Sequence, residues 1–331
     1  MIEIVSTRAL NTVQDLGRFG HRGEGVCVAG AMDRLALSAG NRLLGNDPGA
    51  AAIEVTMFPF VVRFLRDARF ALTGAHCEAT LDGAAVLPWW ATRADAGATL
   101  TVGAPLEGAI ACLVVEGGIG VEPRLGSRST DLKIGFGGFE GRTLRKGDRI
   151  PLGPAGTARS ARPGGWGIDP ARLALPPVPA AGETTRTTAV RVMPAGEYEK
   201  FPEPARERFW GAQWSIGANS NRSAFRLSGP RLQAQGHGDV MYTHGIVPGI
   251  VQVPPSGQPI VQMADANTHG GYPKIGTVIE ADRWRLAQAR PGGALRFVPA
   301  TRDEALAALA AERAWLGSIS DAVERERSAA P

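Results

Sequence analysis

The sequence is poor in the residues and motifs that mark several common protein classes. Its 331 residues include 3 cysteines and 3 tyrosines. Cys27, Cys77 and Cys112 are odd in number and lack the spacing of a metal site, which favours a reduced, cytoplasmic protein over a secreted, disulfide-bonded one. The first residues contain acidic side chains and no long apolar run, so no signal peptide is predicted.

Long apolar segments and runs of basic residues are also missing. No segment approaches the roughly 20 consecutive apolar residues of a membrane-spanning helix, so no membrane association is predicted. The net charge is +4 from 36 basic and 32 acidic residues, and the basic residues are scattered without interleaved aromatics. Nucleic acid is therefore not an expected partner, whereas a small anionic substrate fits this charge.

Catalytic and cofactor motifs of several large families are absent. The chain has no Gly-x4-Gly-Lys-Ser/Thr phosphate loop, no His-x-Glu-x-x-His, no Cys-x-x-Cys, no Gly-x-Ser-x-Gly and no Met-Lys-Met around a biotinyl lysine. The five histidines are not spaced as a ligand set. We therefore predict no metal site and no covalently bound cofactor.

Glycine and proline are abundant, and they organise the chain into many short elements. The 43 glycines and 24 prolines, with 44% apolar residues, favour short strands in two domains of ordinary size. Residues 1–152 contain short apolar runs closed by Gly or Asp-Gly, which is typical of a barrel or a sandwich. Within them, the stretch starting at Asp33 predicts one helix, because Leu35, Ala39 and Leu43 share a face and Gly45 stops it.

The rest of the chain divides into three further parts. Residues 153–188 are rich in Pro, Gly and Ala and predict an extended linker. Residues 189–300 repeat the strand pattern, and turns such as "RKGDRIPL" and "RPGGALRFV" suggest that the two barrels are related. Residues 301–331 predict a C-terminal helix and tail. A capping box of Thr301 and Glu304 opens this helix, and its expected apolar stripe comprises Leu306, Leu309, Leu316, Ile319 and Val323.

The segment "ADANTHGGYPKIG", residues 264–276, has more hydrogen-bonding chemistry than a turn requires. It follows the apolar strand "QPIVQM" and combines polar side chains with paired glycines. Gly270 and Gly271 permit close approach of the backbone to a ligand. Either this segment lines a binding cleft, or it is a packed hairpin tip with solvated polar groups.

Two other polar, glycine-rich segments are candidates. Residues 126–142, "GSRSTDLKIGFGGFEGR", have glycines that can turn backbone N–H groups toward a ligand, and Arg128 can grip a carboxylate or phosphate. Residues 11–34 contain several charged groups, although Asp33 fits a helix cap and Asp15 with Arg18 fits a structural ion pair. Near residue 222, a strand through "AFRL" would place Arg222 and Arg226 on one face, one of them solvated.

Taken in order, these motifs resemble a known family. The stretches "TVQDLGRFGHRGEGVCVAGAMDR", "GSRSTDL", "GFGGFEGR", "GIVPGIVQVPPSGQPIVQM" and "RPGGALRFVP" are similar to the allophanate hydrolase subunit 2 family, also called the biotin-dependent carboxyltransferase family. The resemblance extends from residue 3 to about residue 300. It implies a mainly β fold with two cyclophilin-like β-barrel domains, a few short helices and a C-terminal helix.

The family resemblance also implies function and partners. The leading expectation is the C subunit of an ATP-dependent 5-oxoprolinase, which opens 5-oxoproline to glutamate in a hetero-oligomer with the A and B subunits, using ATP with Mg in the complex. One alternative is half of a carboxyltransferase, like urea carboxylase, which would need a separate biotin carrier. Another is a regulatory module that antagonises a kinase-inhibitor partner.

These expectations identify candidate site residues. Lactam opening through a phosphorylated carbonyl needs cations for anionic groups and an acid–base group. The predicted catalytic residues are Arg128 and Lys274, for anions, and Asp265, for acid–base chemistry. The predicted substrate-binding residues are Asp15, Arg18, Arg34, Glu54, Ser127, Ser129, Thr130, Arg222, Gln258, Asn267, Thr268, Gly270, Gly271 and Tyr272.

Some positions depart from the family pattern. Asn267-Thr268-His269 stands where Gln-Thr-Thr is usual, and Thr243-His244-Gly245 stands where Ser-Glu-Gly is usual. A similar change affects Arg222-Ser223-Ala224-Phe225-Arg226, where Arg-Met-Gly-Tyr-Arg is usual. Because imidazole titrates near pH 6.5 when unperturbed, His244 and His269 predict either a different substrate or pH optimum, or neutral drift at the rim of the site.

Overall fold

The computed structural model describes residues 1–154, 165–169, 187–234 and 241–328, except for the side chain of Arg327. The chain is mainly β, and this confirms the predicted fold class. It divides into two compact units. The first comprises Met1–Phe19, Ala29–Ala174 and Glu312–Pro331, and the second comprises Gly20–Val28 and Leu175–Ala311. Among the described residues, none of the helices combines the length and apolar character that crossing a membrane requires.

The first unit is built on a ten-stranded sheet. Its strands are β1 (Ile2–Ser6), β2 (Thr12–Gln14), β3 (Ala52–Val55), β4 (Phe60–Phe64), β5 (Ala68–Leu81), β6 (Ala84–Ala85), β7 (Trp90–Ala94), β8 (Thr99–Val115), β9 (Arg149–Ile150) and β10 (Trp166–Gly167). The main path runs β10-β7-β5-β8-β4-β1-β9; β2 pairs with β3, β3 also pairs with β8, and β6 pairs with β5. Fully buried aliphatic and phenylalanine side chains of these strands form one core, and the outward alternation of β4 keeps Arg63 exposed.

Two strands of this sheet are longer than the sequence predicts. The pattern of short apolar runs closed by Gly or Asp-Gly predicts "ARFALTG" and "ATLDG" as separate strands, but the 14-residue β5 contains the first run and the start of the second. In the same way, the 17-residue β8 contains most of "ATLTVG" and of "AIACLVVEGG". Gly74 and Gly108 have positive φ values of 79° and 74°. At Gly74 the pairing with β8 shifts register without ending, so this glycine forms a bulge where a strand end was predicted.

Helix α1 (Arg34–Leu44) has the ends that the sequence predicts. The Asp33 carboxylate accepts a hydrogen bond from the Ala36 N–H at 2.8 Å, which confirms its role as a cap. Gly45 adopts a left-handed conformation, and its N–H reaches the carbonyls of Asn41 and Arg42. The helix packs Gly40 so closely on Thr73 of β5 and Val114 of β8 that an added Cβ would overlap them.

The second unit contains a closed seven-stranded barrel. Its strands are β11 (Thr187–Pro194), β12 (Gln213–Ile216), β13 (Ala224–Ser228), β15 (Ile250–Gln252), β16 (Ile260–Gln262), β18 (Lys274–Val278) and β19 (Ala294–Pro299). They close in the order β11-β18-β15-β16-β13-β12-β19, with β11 parallel to β19. A separate two-stranded ribbon comprises β14 (His244–Gly245) and β17 (His269–Gly270). Helices α2 (Glu203–Gly211) and α3 (Arg283–Gln288) also belong to this unit.

The C-terminal helix α4 spans Arg302–Ser328 and begins with the predicted capping box. The Glu304 N–H donates to Thr301 Oγ1 at 3.2 Å, and the Thr301 N–H donates to Glu304 Oε2 at 2.7 Å. Leu316, Ile319 and Val323 of the expected stripe are buried. Leu306, which was also expected in the stripe, is 53% exposed. In the first turns of the helix, the fully buried residue is Ala308, which packs near Ile279 and Ala300.

The predicted linker, 153–188, is described only in part. Residues 155–164 and 170–186 lie outside the described residues. Between them, Trp166 and Gly167 pair with Ala91 and Trp90 of β7, and the Trp166 indole N–H donates to the Leu43 carbonyl at 3.0 Å. This piece is therefore a strand of the first unit, because a large aromatic side chain gains a packed, hydrogen-bonded position there.

Candidate functional site

In the first unit, the Asp15 carboxylate organises the predicted loop at residues 126–142. Its Oδ1 accepts hydrogen bonds from Ser127 Oγ at 2.7 Å, from Ser129 Oγ and from the Gly17 N–H at 2.8 Å. Its Oδ2 accepts one from the Arg128 N–H. Both carboxylate oxygens therefore bind groups of the protein itself, and Asp15 is buried. The carboxylate therefore holds the loop in shape instead of presenting an open oxygen to a ligand.

Arg18 is fully buried beside this network. Its Nε donates to the Arg124 carbonyl and its Nη2 to the Ser129 carbonyl, both at 2.9 Å. The guanidinium also lies 4.9 Å from the centre of the Phe136 ring. The expected ion pair of Asp15 with Arg18 is not formed in the described part of the chain, because both groups bind the 124–130 backbone and hydroxyls instead.

The loop also fixes Thr130 and the glycines that follow. Thr130 Oγ1 donates to the Val13 carbonyl at 2.9 Å. Gly137 and Gly138 have φ values of 69° and 56°, and a Cβ on Gly138 would overlap the Thr130 side chain. Together with neighbouring residues, residues 135–141 line a cavity of about 590 Å³.

Arg128 lies at a second cavity of the same unit. Its Nε donates to the Val121 carbonyl at 2.8 Å. The cavity has a volume of about 380 Å³ and is lined by Arg128, Asp47, Asn46 and backbone of Gly117 and neighbouring glycines. A half-buried guanidinium at a cavity wall is suited to an anionic ligand group, and the anion-binding role of Arg128 stays a prediction.

Two further predicted residues lie near the start of α1. Glu54 is buried, and its Oε2 accepts the Met32 N–H at 2.7 Å. The Arg34 guanidinium lies 5.4 Å from the centre of the exposed Phe19 ring. Close to Glu54, burial raises the pKa of the Cys112 thiol well above its usual value, and the negative charges of Glu54 and Asp33 add to this rise.

In the second unit, Arg222 and Asp265 form a buried, two-pronged ion pair. Arg222 Nε and Nη2 lie 3.0 and 2.9 Å from the two carboxylate oxygens of Asp265. The Asp265 N–H also donates to the Arg222 carbonyl at 2.9 Å. The solvated partner of the sequence prediction is Arg226, which is exposed on β13. The structure thus brings two predicted site residues together, but they bind each other and not an open ligand site.

Lys274 has a carboxylate neighbour that the sequence analysis missed. Glu197 Oε2 lies 3.4 Å from Lys274 Nζ and accepts the Lys274 N–H at 3.1 Å. Glu197 Oε1 lies 3.8 Å from His244 Nε2. Glu197 stands in "PAGEYEK", which has no motif signal, and only the folded chain shows its position.

The segment 264–276 passes over buried glutamines of the barrel. Gln262 Nε2 donates to Gln252 Oε1 at 2.8 Å, and both side chains are buried. A Cβ on Gly270 would lie only 2.8 Å from Gln252 Nε2, so the predicted close approach of backbone occurs, with the protein itself as the neighbour. A Cβ added to Gly271 would lie 3.2 Å from the Met241 carbonyl oxygen.

The remaining predicted residues of the second unit are spread over its surface. Asn267 and Tyr272 are exposed, and Tyr272 keeps 46% of its accessible area. Thr268 Oγ1 contacts His269 Nδ1 at 2.8 Å. Gln258 is committed elsewhere, because its side-chain amide bonds both the N–H and the carbonyl of Gly229.

Within residues 1–154, 165–169, 187–234 and 241–328, no group of three or more His, Cys, Asp or Glu side chains is arranged to hold a metal ion.

The class of this protein follows from its family, which is that of the carboxyltransferase domains. Residues 24–299 match the family model described as "Carboxyltransferase domain, subdomain A and B", and the chain belongs to this family. It is 41% identical over 312 residues to the 5-oxoprolinase C subunit of Escherichia coli (strain K12), with 93% of this chain and 94% of that protein covered.

Larger enzymes contain a similar region. The chain is 31% identical over 307 residues to urea amidolyase of Saccharomyces cerevisiae, covering 90% of this chain and 16% of that protein. The crystal structure of the K. lactis urea amidolyase superposes with a TM-score of 0.85 at 27% identity, over 96% of this chain and 20% of that one.

Proposed function

We propose that this chain is the C subunit of an ATP-dependent 5-oxoprolinase and is active only in a complex with the A and B subunits. The observation that carries the proposal is the end-to-end similarity to the C subunit of the E. coli enzyme, which covers 93% of this chain and 94% of that protein. A match of this extent supports the same domain content and therefore the same kind of assembly.

The chemistry explains why such a reaction needs a cationic site. An unactivated lactam is a poor electrophile. ATP transfers its γ-phosphoryl group to the lactam oxygen and leaves as ADP, and water then forms a bond to the carbonyl carbon. The C–N bond breaks to give an acyl phosphate, and a second water hydrolyses this acyl phosphate to glutamate and phosphate. Cationic side chains stabilise the oxyanion charge that develops in these steps. Arg128, at its cavity, and Lys274 are the proposed anion-binding groups.

Reconstitution tests the proposal directly. The purified chain is mixed with the A and B subunits of 5-oxoprolinase, ATP and 5-oxoproline, and glutamate is measured against a mixture without the chain. We expect glutamate only in the complete mixture, and none above the control would refute the function. Lys274→Met should lower turnover, whereas Lys146→Met, which removes an exposed lysine, should not.

A second candidate is a carboxyltransferase half that acts on urea or a related small amide. The family match and the TM-score of 0.85 to the K. lactis urea amidolyase favour it. It requires a separate biotin carrier. A pull-down from the source cells separates the two candidates. A biotinylated protein recovered without the A and B subunits of 5-oxoprolinase supports the carboxyltransferase, and those two subunits recovered without a biotinylated protein support the oxoprolinase.

A further inference from the structure

Three ionisable side chains meet on the second unit, at the side of the barrel next to the β14–β17 ribbon. Glu197 lies between Lys274 and His244, with separations of 3.4 Å to Nζ and 3.8 Å to Nε2. The Lys274 and Glu197 side chains are 10% and 18% exposed, and that of His244 is 33% exposed. A carboxylate shared by two basic groups in partly dry surroundings interacts with both more strongly than it would in water.

Hydrogen bonding fixes which nitrogen of His244 can exchange a proton. Nδ1 lies 2.8 Å from the Tyr242 carbonyl. A carbonyl can only accept, so Nδ1 carries a hydrogen in both protonation states and Nε2 is the titrating nitrogen. Nε2 is shielded from solvent and has no hydrogen-bond partner among the described residues. Glu197 Oε1 lies 3.8 Å from Nε2, and this negative charge favours a proton on Nε2.

We propose that Glu197, His244 and Lys274 form an acid–base centre in which His244 Nε2 carries the proton, Lys274 supplies the fixed positive charge, and Glu197 is the positioning residue. The separation of 3.8 Å between Glu197 Oε1 and His244 Nε2 exceeds a hydrogen bond, so the Nε2 proton is not committed to that carboxylate. The assignment to lactam opening rests on the proposed function.

The proton transfer balances within that reaction. When the C–N bond of the lactam breaks, the electron pair stays on nitrogen, and the His244 imidazolium gives its Nε2 proton to that nitrogen. The neutral imidazole then takes up the proton that the hydroxyl group derived from the added water loses as the C=O bond of the acyl phosphate forms. The proton that Nε2 loses is thus replaced in each turnover.

His244 is better placed for this role than Asp265, the acid–base group predicted from the sequence. Both carboxylate oxygens of Asp265 are bound by Arg222, and its side chain is 4% exposed. To take up a proton, Asp265 would have to weaken its buried ion pair with Arg222, which is energetically costly. His244 has no such bond at Nε2 in the described chain.

Several other polar groups in the described residues around the ribbon are bound to the ribbon or to its neighbours. The ribbon pairs Gly245 with His269, whose Nδ1 contacts Thr268 Oγ1. The Arg22 guanidinium donates to the carbonyls of Ile246 and Thr268, which lie next to the two ribbon strands, and so links these strands. Among the described residues near the ribbon, the phenols of Tyr242 and Tyr272 can also titrate, and both side chains are exposed. Glu197 and Lys274 are therefore the charges expected to govern the titration of His244.

The first test measures the proton itself. The imidazole nitrogens of the full-length chain are followed by NMR as pH changes, and His244→Gln assigns the signal. In E197Q, we expect the titration midpoint of His244 to fall by about half a pH unit or more, because the neighbouring negative charge that favours the imidazolium is gone. E197D should restore part of the shift. An unchanged midpoint in E197Q would overturn the proposal.

The second test uses the complex reconstituted with the A and B subunits. H244Q should lower kcat about 100-fold or more, as expected for loss of an acid–base group, with little change in KM or Tm. E197Q should move the alkaline limb of the pH–kcat profile to lower pH. H76Q, an exposed histidine of the first unit, is the matched control. Wild-type kcat in H244Q would overturn the catalytic role.

If the wild-type complex makes no glutamate, the proposed function fails, while the NMR titration still decides whether Glu197 controls His244.

Discussion

At the scale of single residues, burial and hydrogen-bond saturation separate structural groups from available ones. Asp15 and Asp265 both have the residue type and the loop setting of ligand-binding carboxylates. In the folded chain, Asp15 is occupied by hydroxyls and N–H groups of residues 127–129, and Asp265 is occupied by Arg222. Their oxygens are used to hold loops, because an unpaired buried carboxylate is strongly unfavourable.

The Arg222–Asp265 pair gives a prediction on stability. Asp265→Asn removes the negative charge that is paired with the buried Arg222 guanidinium, so we expect the free energy of unfolding of the second unit to fall by about 3–5 kcal/mol. Urea denaturation measured by fluorescence provides the value.

A double replacement is the control for that prediction. Arg222→Met with Asp265→Leu removes both charges and fills a similar volume, and it should recover most of the loss. A single D265N variant as stable as the wild type would show that the pair contributes little. A stable D265N variant that loses turnover in the complex would instead favour Asp265 as the acid–base group over His244.

At the scale of elements, glycines decide the shape of the loop at residues 126–142. Gly138→Ala should destabilise the first unit and disorder this loop, since the new methyl group would overlap Thr130. Gly126→Ala is a matched control. Gly126 also has a positive φ, 76°, but a Cβ there would have nothing within 4 Å. The difference in Tm between the two variants measures the steric cost of a methyl group beside Thr130. Equal Tm values would contradict the close packing of Gly138 on Thr130.

The turn that leads into β9 carries a pH-dependent contact. Arg142 Nη1 and Nη2 lie 2.8 and 2.9 Å from the two Asp148 oxygens. Burial by itself raises the pKa of Asp148, but the hydrogen bonds from Arg142 and from the Arg145 N–H outweigh it and leave the pKa below its ordinary value. The stabilisation is therefore complete above the unfolded-state pKa, near 3.9, and is lost as pH falls through the folded-state value.

This contact can be checked by acid denaturation. Between about pH 5 and pH 2.5, the wild type should lose more stability than Asp148→Asn, which has no carboxylate to protonate. The two unfolding free energies should therefore converge as the pH falls. Parallel pH profiles would show that Asp148 titrates alike in the folded and unfolded chains.

At the scale of the whole molecule, the division into two units assigns the cysteines to different parts. Cys77 and Cys112 belong to the first unit, whereas Cys27 belongs to the segment Gly20–Val28 of the second. All three are buried, and burial raises the pKa of Cys112 well above its usual value. The native chain should therefore react very slowly with a thiol reagent.

Thiol labelling at increasing urea concentration tests the division. Cys77 and Cys112 should become reactive together, at the midpoint for the first unit. Cys27 should become reactive at the urea midpoint of the second unit. The D265N replacement should lower the labelling midpoint of Cys27 and leave those of Cys77 and Cys112 unchanged. Cys27 moving with Cys77 and Cys112 in every variant would show that the chain unfolds as one cooperative unit.

The sequence by itself determined the features that depend on near neighbours. The ends of α1 follow from Asp33 and Gly45, whose effects act within one helical turn. The capping box at Thr301 and Glu304 is likewise local, and ordered motifs over most of the chain predicted the fold class. Local signals failed at Gly74, because a glycine that permits a turn also permits a bulge in a continuing strand.

Only the tertiary structure decided how the candidate residues are used. Asp265 meets Arg222 across 43 residues, and Glu197 meets Lys274 across 77 residues. Such meetings depend on the closure of the barrel and on the path of the ribbon, which no short stretch of sequence encodes. The sequence supplied the charges of a candidate site, but burial and long-range pairing determine which of them hold the fold and which can act on a ligand.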